Sequence, residues 1–413
     1  MATASGNATL VRVAASGVPG LPDLELDLGA ITALVGPRGS GKSQLLATIA
    51  WLLTGQPTIA PKAHPVRVSG ELGAGSRRVR ISRTGAEGAT LEAEDPSPLL
   101  PTPSFLRARD RLEPVAAISG SVGARIAQVA GRLTSDAVAA EALVAAVEAC
   151  CDECVAGEIL LIEEPELFLT PQAQRYLYRL LRRFVQNGNQ VLYSTRSPAF
   201  LDAARHDEII RLDLVQGRST LRRTRSTTLS DAERVRLAAE FDHERSEMFF
   251  ARTVVLVEGQ TERLSLPFIF RAHGHDPDAE GIAIVEVGGK SNLPLAARLL
   301  QQLEIPFTVV FDADRGAASA ALDAEIRRSA GPAPIIRLEP DFEAAAGIAS
   351  HDEKVLRAWR RFAGAAADAV PAALAEIVRA AVGSTSGGDR PQSQAALDAV
   401  SGGAQRAGRR SSS

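Results

Sequence analysis

Residues 36–43 read GPRGSGKS and satisfy G-x-x-x-x-G-K-[ST] at every fixed position, a tighter constraint than any other stretch of the chain imposes. The apolar run 31–35 precedes them, and Leu45, Leu46, Ile49 and Ala50 follow at helical spacing, so the loop is predicted to join a strand to a helix. That context is what the motif requires. Gly36, Gly39 and Gly41 let backbone N–H groups turn inward around a triphosphate. Lys42 reaches the β- and γ-phosphates and Ser43 holds Mg²⁺, all at the positive end of a helix. The expectation is a chain that binds a nucleoside triphosphate.

A second landmark lies at residues 158–166. Ile159, Leu160, Leu161 and Ile162 make a buried strand that ends on adjacent carboxylates, Glu163 and Glu164, as in a Walker B element. Glu163 is expected to hold Mg²⁺ through water, and Glu164 to polarise the water that attacks the γ-phosphate. Thr170 then caps a helix with Pro171 in its first position and Ala173, Leu177, Leu180, Leu181 and Phe184 on its apolar face. The next strand, 190–193, leads into Ser194, Thr195, Arg196, Ser197 and Pro198, which sets polar groups at a strand end where the γ-phosphate should lie.

Between the two landmarks, alternating Val66 and Val68, then Val79 and Ile81, predict an antiparallel layer beside the nucleotide core. Five prolines between residues 94 and 114 predict a loop or lobe junction. Val122, Ile126, Val129 and Leu133 form one helical stripe behind Ser119, Gly120 and Ser121. The serines are read as a simple N-cap, the alternative being a signature that reaches a partner subunit's γ-phosphate. The three cysteines, Cys150, Cys151 and Cys154, are too few for a disulfide framework. Val144, Val147, Cys151 and Cys154 continue one stripe, so the thiols are expected to be buried and reduced.

Strand, P-loop, EEPE after a hydrophobic run and a strand ending in S-T-x-S-P resemble the ABC-type ATPase of the overcoming-lysogenization-defect (OLD) nuclease family. Two departures stand out. The signature loop is at best degenerate at Ser119 to Ser121, and Arg196 stands where the family has its switch histidine. Arg196 is expected to hold the γ-phosphate without relaying a proton, because guanidinium has donors only.

The resemblance continues past the ATPase. A buried strand 254–257 ends at Glu258, with Glu262 one helical turn on. A strand 282–287 leads to Gly288-Gly289-Lys290, and a strand 307–311 ends in Asp312-Ala313-Asp314. The βαβαβ order with carboxylates at strand C-termini predicts an open parallel sheet with a site at its carboxyl edge. VEGxTE, VGGK and FDAD together resemble the Toprim fold of topoisomerases, primases and OLD nucleases. Glu258, Glu262, Asp312 and Asp314 are carboxylates of the kind that two hard cations, Mg²⁺ or Mn²⁺, need. The resemblance alone implies Glu343 as a further metal ligand and Lys354 as the cation that stabilises the transition state.

The predicted fold is therefore α/β: an ABC-type P-loop ATPase domain over 1–245, a parallel-sheet, Rossmann-like Toprim domain over 246–385 and a disordered tail over 386–413. A length of 413 residues accommodates two or three domains, and the net charge of −3 leaves any nucleic-acid contact to local basic patches, such as Arg222, Arg223 and Arg225. The start lacks a secretory pattern and no 18-residue apolar run occurs, so a cytoplasmic location and no membrane partner are expected. The family implies ATP, a homodimer and DNA. The leading expectation is an ATP-dependent, metal-dependent DNA endonuclease, and the rival is a RecF-like DNA-binding ATPase that does not cut. A strand-passing topoisomerase would need a nucleophilic tyrosine, but Tyr176, Tyr178 and Tyr193 all belong to the ATPase half, and a primase would need a zinc module.

Lys42→Ala is expected to remove ATP binding, because no nearby residue replaces the point charge on the β- and γ-phosphates. Equilibrium binding of a fluorescent ATP analogue tests this, and unchanged affinity refutes the P-loop assignment.

Overall fold

A computed structural model of the chain describes residues 8–55, 66–74, 77–85, 92–93, 101–108, 120–215, 218–223, 229–241, 243–314, 317–348 and 353–385. It divides into two compact units, Met1–Leu214 with Arg218–Leu229, and Val215–Gly217 with Ser230–Ser413. The expected tail, 386–413, lies outside the described residues, as do Ser119, Arg225 and most of 94–114.

The first unit runs β1 (Thr9–Ser16), β2 (Leu24–Asp27), β3 (Ile31–Val35), α1 (Lys42–Thr54), β4 (Arg67–Ala74), β5 (Arg77–Thr84), β6 (Glu92–Ala93) and β7 (Thr102–Arg107). Then come α2 (Ser121–Val129), α3 (Asp136–Asp152), β8 (Glu158–Glu163), α4 (Pro171–Gln186), β9 (Gln190–Ser194), β10 (Ile209–Val215) and β11 (Arg218–Arg223). One sheet has the order β11-β10-β3-β9-β8-β7, with neighbours from β10 to β7 parallel. Every residue of β3, β8 and β9 is buried, as strands covered on both faces must be. The P-loop and the Glu163-Glu164 pair therefore emerge from the same edge of one sheet, with β9 between them. The second sheet, β2-β1-β4-β5-β6, is the antiparallel layer expected from the alternating valines.

A buried amide joins the two sheets. The pairing of β1 with β4 shifts between Leu10 and Arg12, and at that point Gln190 of β9 takes over. Its side chain accepts from the Leu10 N–H and donates to the carbonyls of Leu10 and Gly29, each at 2.8 Å. Buried backbone groups need partners, and here a side chain supplies them.

Three local expectations are corrected. The Pro-rich stretch carries a strand, β7, at the edge of the parallel sheet, where Pro103 is tolerated because edge strands form fewer ladder bonds. The N-cap of α2 is Gly120 with no side-chain cap, and the Glu158 carboxylate accepts from the Ser121 N–H at 2.6 Å instead. A Cβ on Gly120 would stand 2.2 Å from Ser104 Oγ, so the tight fit of the carboxylate needs glycine there. Cys150 and Cys151 are buried, whereas Cys154, past the end of α3 with a φ of 53°, is exposed. The caps at Thr170 and the Ser230/Glu233 capping box form as expected.

The second unit runs α5 (Asp231–Glu240), β12 (Thr253–Val257), α6 (Gln260–Ala272), α7 (Pro277–Glu280), β13 (Ile282–Glu286), α8 (Leu293–Gln302), β14 (Phe307–Asp312) and α9 (Ala317–Ala330). It ends with β15 (Ile335–Leu338), α10 (Phe342–Ala345), α11 (Lys354–Phe362) and α12 (Ala372–Thr385). Its sheet, β13-β12-β14-β15, is parallel throughout. The division between the units falls at 229/230 rather than at 245, because the segment around α5 is tied to the second unit. Glu233 pairs with Arg298, Arg236 donates to Ser291 Oγ at 2.6 Å, and Arg245 donates to the Glu286 carbonyl at 2.7 Å.

Gln190→Leu is expected to destabilise the first unit by about 2–4 kcal/mol, since it orphans the Leu10 N–H and carbonyl in the interior. Urea denaturation of the full chain measures it; a loss below about 1 kcal/mol, the net worth of one neutral hydrogen bond, means water replaces the amide.

Candidate functional site

The nucleotide side is built from strand ends. After β3 the chain turns through Gly36 with a φ of 136°, where a Cβ would lie 1.9 Å from the Leu212 carbonyl, so only glycine fits. Lys42 opens α1, is buried, and donates from Nζ to the carbonyls of Gly36 at 2.7 Å and Pro37 at 2.8 Å. Burial lowers its ammonium to about 8, and the neighbouring Arg196 charge adds to the effect. Ser43 Oγ donates to Glu163, whose other oxygen pairs with Arg107 Nε at 3.0 Å. The predicted Mg²⁺ pair, Ser43 and Glu163, thus stands together, and its oxygen donors suit a hard divalent cation.

Glu164 and Arg196 meet as well. The Arg196 guanidinium lies 2.8 Å from Glu164 Oε1. Glu164 is held in the left-handed region, with a φ of 53°, by its own N–H donating to the Ser194 carbonyl at 2.9 Å. Such a conformation costs a bulky residue on the order of 1–2 kcal/mol and persists only where its surroundings enforce it. Glu166 is buried, which raises its carboxyl above the usual range, and it accepts from Thr195 Oγ1 at 2.9 Å and the Arg196 N–H at 2.7 Å. Glu166 thereby fixes the backbone that aims Arg196 at Glu164.

In the second unit, Glu258 follows β12, Glu262 sits in the first turn of α6, Asp312 ends β14 and Glu343 lies in α10. Glu262 and Glu343 are buried. Burial pushes the Asp312 carboxyl up to about 8, with repulsion from Glu258, Glu262 and Glu343 adding to it. Glu262 rises to about 7, again through burial first and then Glu258 and Glu343. Glu258 is raised by burial although it accepts from the Asp312 N–H at 2.7 Å. Asp312 Oδ1 accepts from the Phe342 N–H at 2.9 Å, and Lys354 Nζ lies 3.2 Å from Glu343 Oε1. Burial works against the Lys354 charge, but Glu343, Glu262 and Asp312 raise it above the usual range.

These four acids share one field. Among the described residues, however, no three Asp, Glu, His or Cys side chains are grouped so as to hold one ion. Each acid instead meets a backbone N–H or Lys354. The donor set still fits a divalent cation: all oxygen, more acids than cations, and raised carboxyls that a positive ion would lower. Asp314 stands apart, 60% exposed and 3.1 Å from Lys290 Nζ.

Lys290, Asp323, Arg337 and Arg107 escaped the reading of the sequence as site residues. Buried Lys290 donates to the Asp312 carbonyl at 2.6 Å, pairs with Asp323 at 2.8 Å and lies 4.9 Å from the centre of the Phe311 ring. Asp323 also takes Arg337 at 3.1 Å. The lysine of VGGK was the available signal for this brace at the end of β14. Nothing in the sequence pairs Arg107 with Glu163.

Comparison with known proteins agrees with both halves. Residues 249–314 match the family described as overcoming lysogenization defect protein-like, TOPRIM domain, and residues 141–202 match an AAA domain family described as putative AbiEii toxin, Type IV TA system. An OLD nuclease of Thermus scotoductus is 36% identical over 214 residues, covering 46% of this chain and 40% of the relative. The Old nuclease of Escherichia phage P2 is 28% identical over 161 residues, covering 38% of this chain and 28% of the relative. The solved C-terminal region of the Burkholderia pseudomallei OLD protein aligns with a TM-score of 0.28 at 18% identity, over 33% of this chain and 100% of that one. The chain thus spans less than half the length of either curated relative.

Replacing Arg196 by histidine releases Glu164 from its ion pair and supplies a neutral ring that can accept from water. Arg196→His is expected to raise single-turnover ATP hydrolysis on the order of 10²-fold, the worth of one positioning contact, and to weaken ATP affinity. A rate that stays level or falls instead identifies Arg196 as a stabiliser of the transferred phosphoryl group.

Proposed function

We propose that this chain, which belongs to the OLD family as an ATPase joined to a Toprim domain, is a nucleotide-binding, divalent-metal-dependent DNA endonuclease. The observation that carries the reading is the group formed by Glu258, Glu262, Asp312 and Glu343 at the carboxyl edge of a parallel sheet, with Lys354 beside it. Acids pressed together with too few cations are suited to hard metal ions.

In this reading Glu258, Glu262, Asp312 and Glu343 hold Mg²⁺ or Mn²⁺, with Asp314 at the solvent side. A divalent ion bound there supplies a Lewis acid for a phosphodiester oxygen and an activated water. The chain's own part is to orient. Backbone N–H groups of Asp312 and Phe342 fix the carboxylates of Glu258 and Asp312, and Lys290 braces the β14 terminus from below. Lys354, drawn from Glu343 toward a phosphate, offsets charge that builds on the scissile group.

On the ATPase side, Gly36, Gly39, Gly41 and Lys42 cradle the triphosphate of ATP, Ser43 and Glu163 hold its Mg²⁺, and Arg196 contacts the γ-phosphate. Glu164 then becomes free to orient water. The resemblance to ABC-type ATPases supports a homodimer, and the family supports a cytoplasmic protein; among the described residues no helix is long and apolar enough to cross a membrane. A DNA-binding ATPase that does not cut is the second reading, favoured by the absence of three acids at ligating distance among the described residues.

Plasmid nicking with Mg²⁺ or Mn²⁺ separates the two. Asp312→Asn keeps the shape of the protonated acid, so the variant should fold, bind ATP and fail to nick. A wild-type chain that never nicks with either ion makes the non-cutting reading the better account.

A further inference from the structure

The chain has two tryptophans, and they live in opposite surroundings. Trp51 is buried at 3% exposure, whereas Trp359 on α11 is 48% exposed. Ala358 and Phe362 of the same helix are in the core at 0% exposure, yet Trp359, one turn before Phe362, is left open to solvent. Around it Leu356 is 38% exposed and Leu264 of α6 is 41% exposed. With Val355, Glu353 and the stem of Lys354 these residues line an open groove. Contiguous apolar surface of this kind marks a binding site more often than isolated exposed residues do.

The charge around the groove is mainly positive: Glu353 lines it as well, but α11 brings cations. All four ionisable residues in the nine of α11, KVLRAWRRF, are cations: Lys354, Arg357, Arg360 and Arg361. This stands against a net charge of −3 for the whole chain. Arg361 donates to the Ala369 carbonyl at 2.8 Å, so its guanidinium also braces the fold. The groove is continuous with the acidic group, because Lys354 pairs with Glu343. At 1.5 Å of rise per residue, Trp359 lies about 7.5 Å along the helix from Lys354, near the spacing of successive nucleotides in an extended strand.

We propose that α11 and its groove form a platform for an unpaired DNA strand, with Trp359 stacking on a base while the arginines follow the phosphates into the metal site. The proposal rests on the nuclease reading and names its substrate class: DNA with single-stranded character at or beside the cut. Charge complementarity selects this occupant over an apolar peptide, and an exposed indole flanked by guanidinium groups is the combination that single strands engage. A paired duplex keeps its base faces stacked internally and offers Trp359 nothing to cover.

The test uses the full chain in EDTA, so that binding is read without cleavage. A short labelled single strand and the blunt duplex of the same sequence are titrated by fluorescence anisotropy, with tryptophan emission followed in parallel. The single strand should bind more tightly and quench emission. Trp359→Ala should weaken single-strand binding by about tenfold or more and leave the duplex unchanged, while Trp359→Phe keeps most of the affinity. Arg360→Ala should lower the slope of log K against log salt by ~0.7 for the single strand. Circular dichroism and thermal melting check that each variant folds.

Equal single-strand affinity in Trp359→Ala, or an equal loss on duplex, overturns the proposal. So does sedimentation in which the wild type self-associates and Trp359→Ala does not, since the patch is then covered by a second copy. A protein that prefers single strands through Trp359 but never nicks with Mg²⁺ or Mn²⁺ keeps the platform and loses the nuclease reading.

Discussion

Carboxylates taken out of water at the ends of parallel strands are the constraint on which both halves of the molecule depend. Each buried ion costs several kcal/mol on the order given by desolvation, unless a cation or a set of donors stands beside it. The first unit meets that cost residue by residue. Glu163 has Ser43 and Arg107, Glu164 has Arg196, and Glu166 has Thr195 and the Arg196 N–H. The second unit does not: Glu262, Asp312 and Glu343 share Lys354, Glu258 feels Lys290, and two of the carboxyls rise to about 7 and about 8.

Lys42 is turned onto the loop carbonyls of Gly36 and Pro37, and Arg196 onto Glu164. A triphosphate competes for both cations. On the proposed assignment, binding would exchange contacts within the chain for contacts to phosphate and release Glu164. The bond from the Glu164 N–H to the Ser194 carbonyl holds Glu164 at the strand end despite its φ of 53°.

Much of this was legible from residues alone where the chemistry is contiguous. GPRGSGKS, EEPE, VEGQTE and FDAD each place their groups within a few residues of one strand end, and a strand end is a fixed point once the sheet is parallel. What escaped was non-local. Gln190 meets Leu10 across 180 positions and Arg107 meets Glu163 from the neighbouring strand, pairings that neither periodicity nor motif encodes. The Pro-rich stretch hid β7, because proline argues against a central strand but not against an edge. Ser119 and Ser121 suggested a cap, yet the N–H of Ser121 found Glu158, 37 positions away.

The sequence by itself determined the class of fold, the order of the two units and the residue types at each strand end. Local hydrophobic pattern and turn chemistry suffice for those, since backbone hydrogen bonding allows few ways to join alternating strands and helices. Only the tertiary structure decided which acid faces which cation. Asp314, equal to Asp312 in the motif, is turned outward to Lys290, while Glu343, from a separate strand connection, joins the buried group. Likewise Trp359 is outside and Trp51 inside, although both sit on apolar-patterned helices. The reason is the same in each case: a side chain's charge state and exposure are set by what other segments bring against it, and that information is not local to its own stretch of chain.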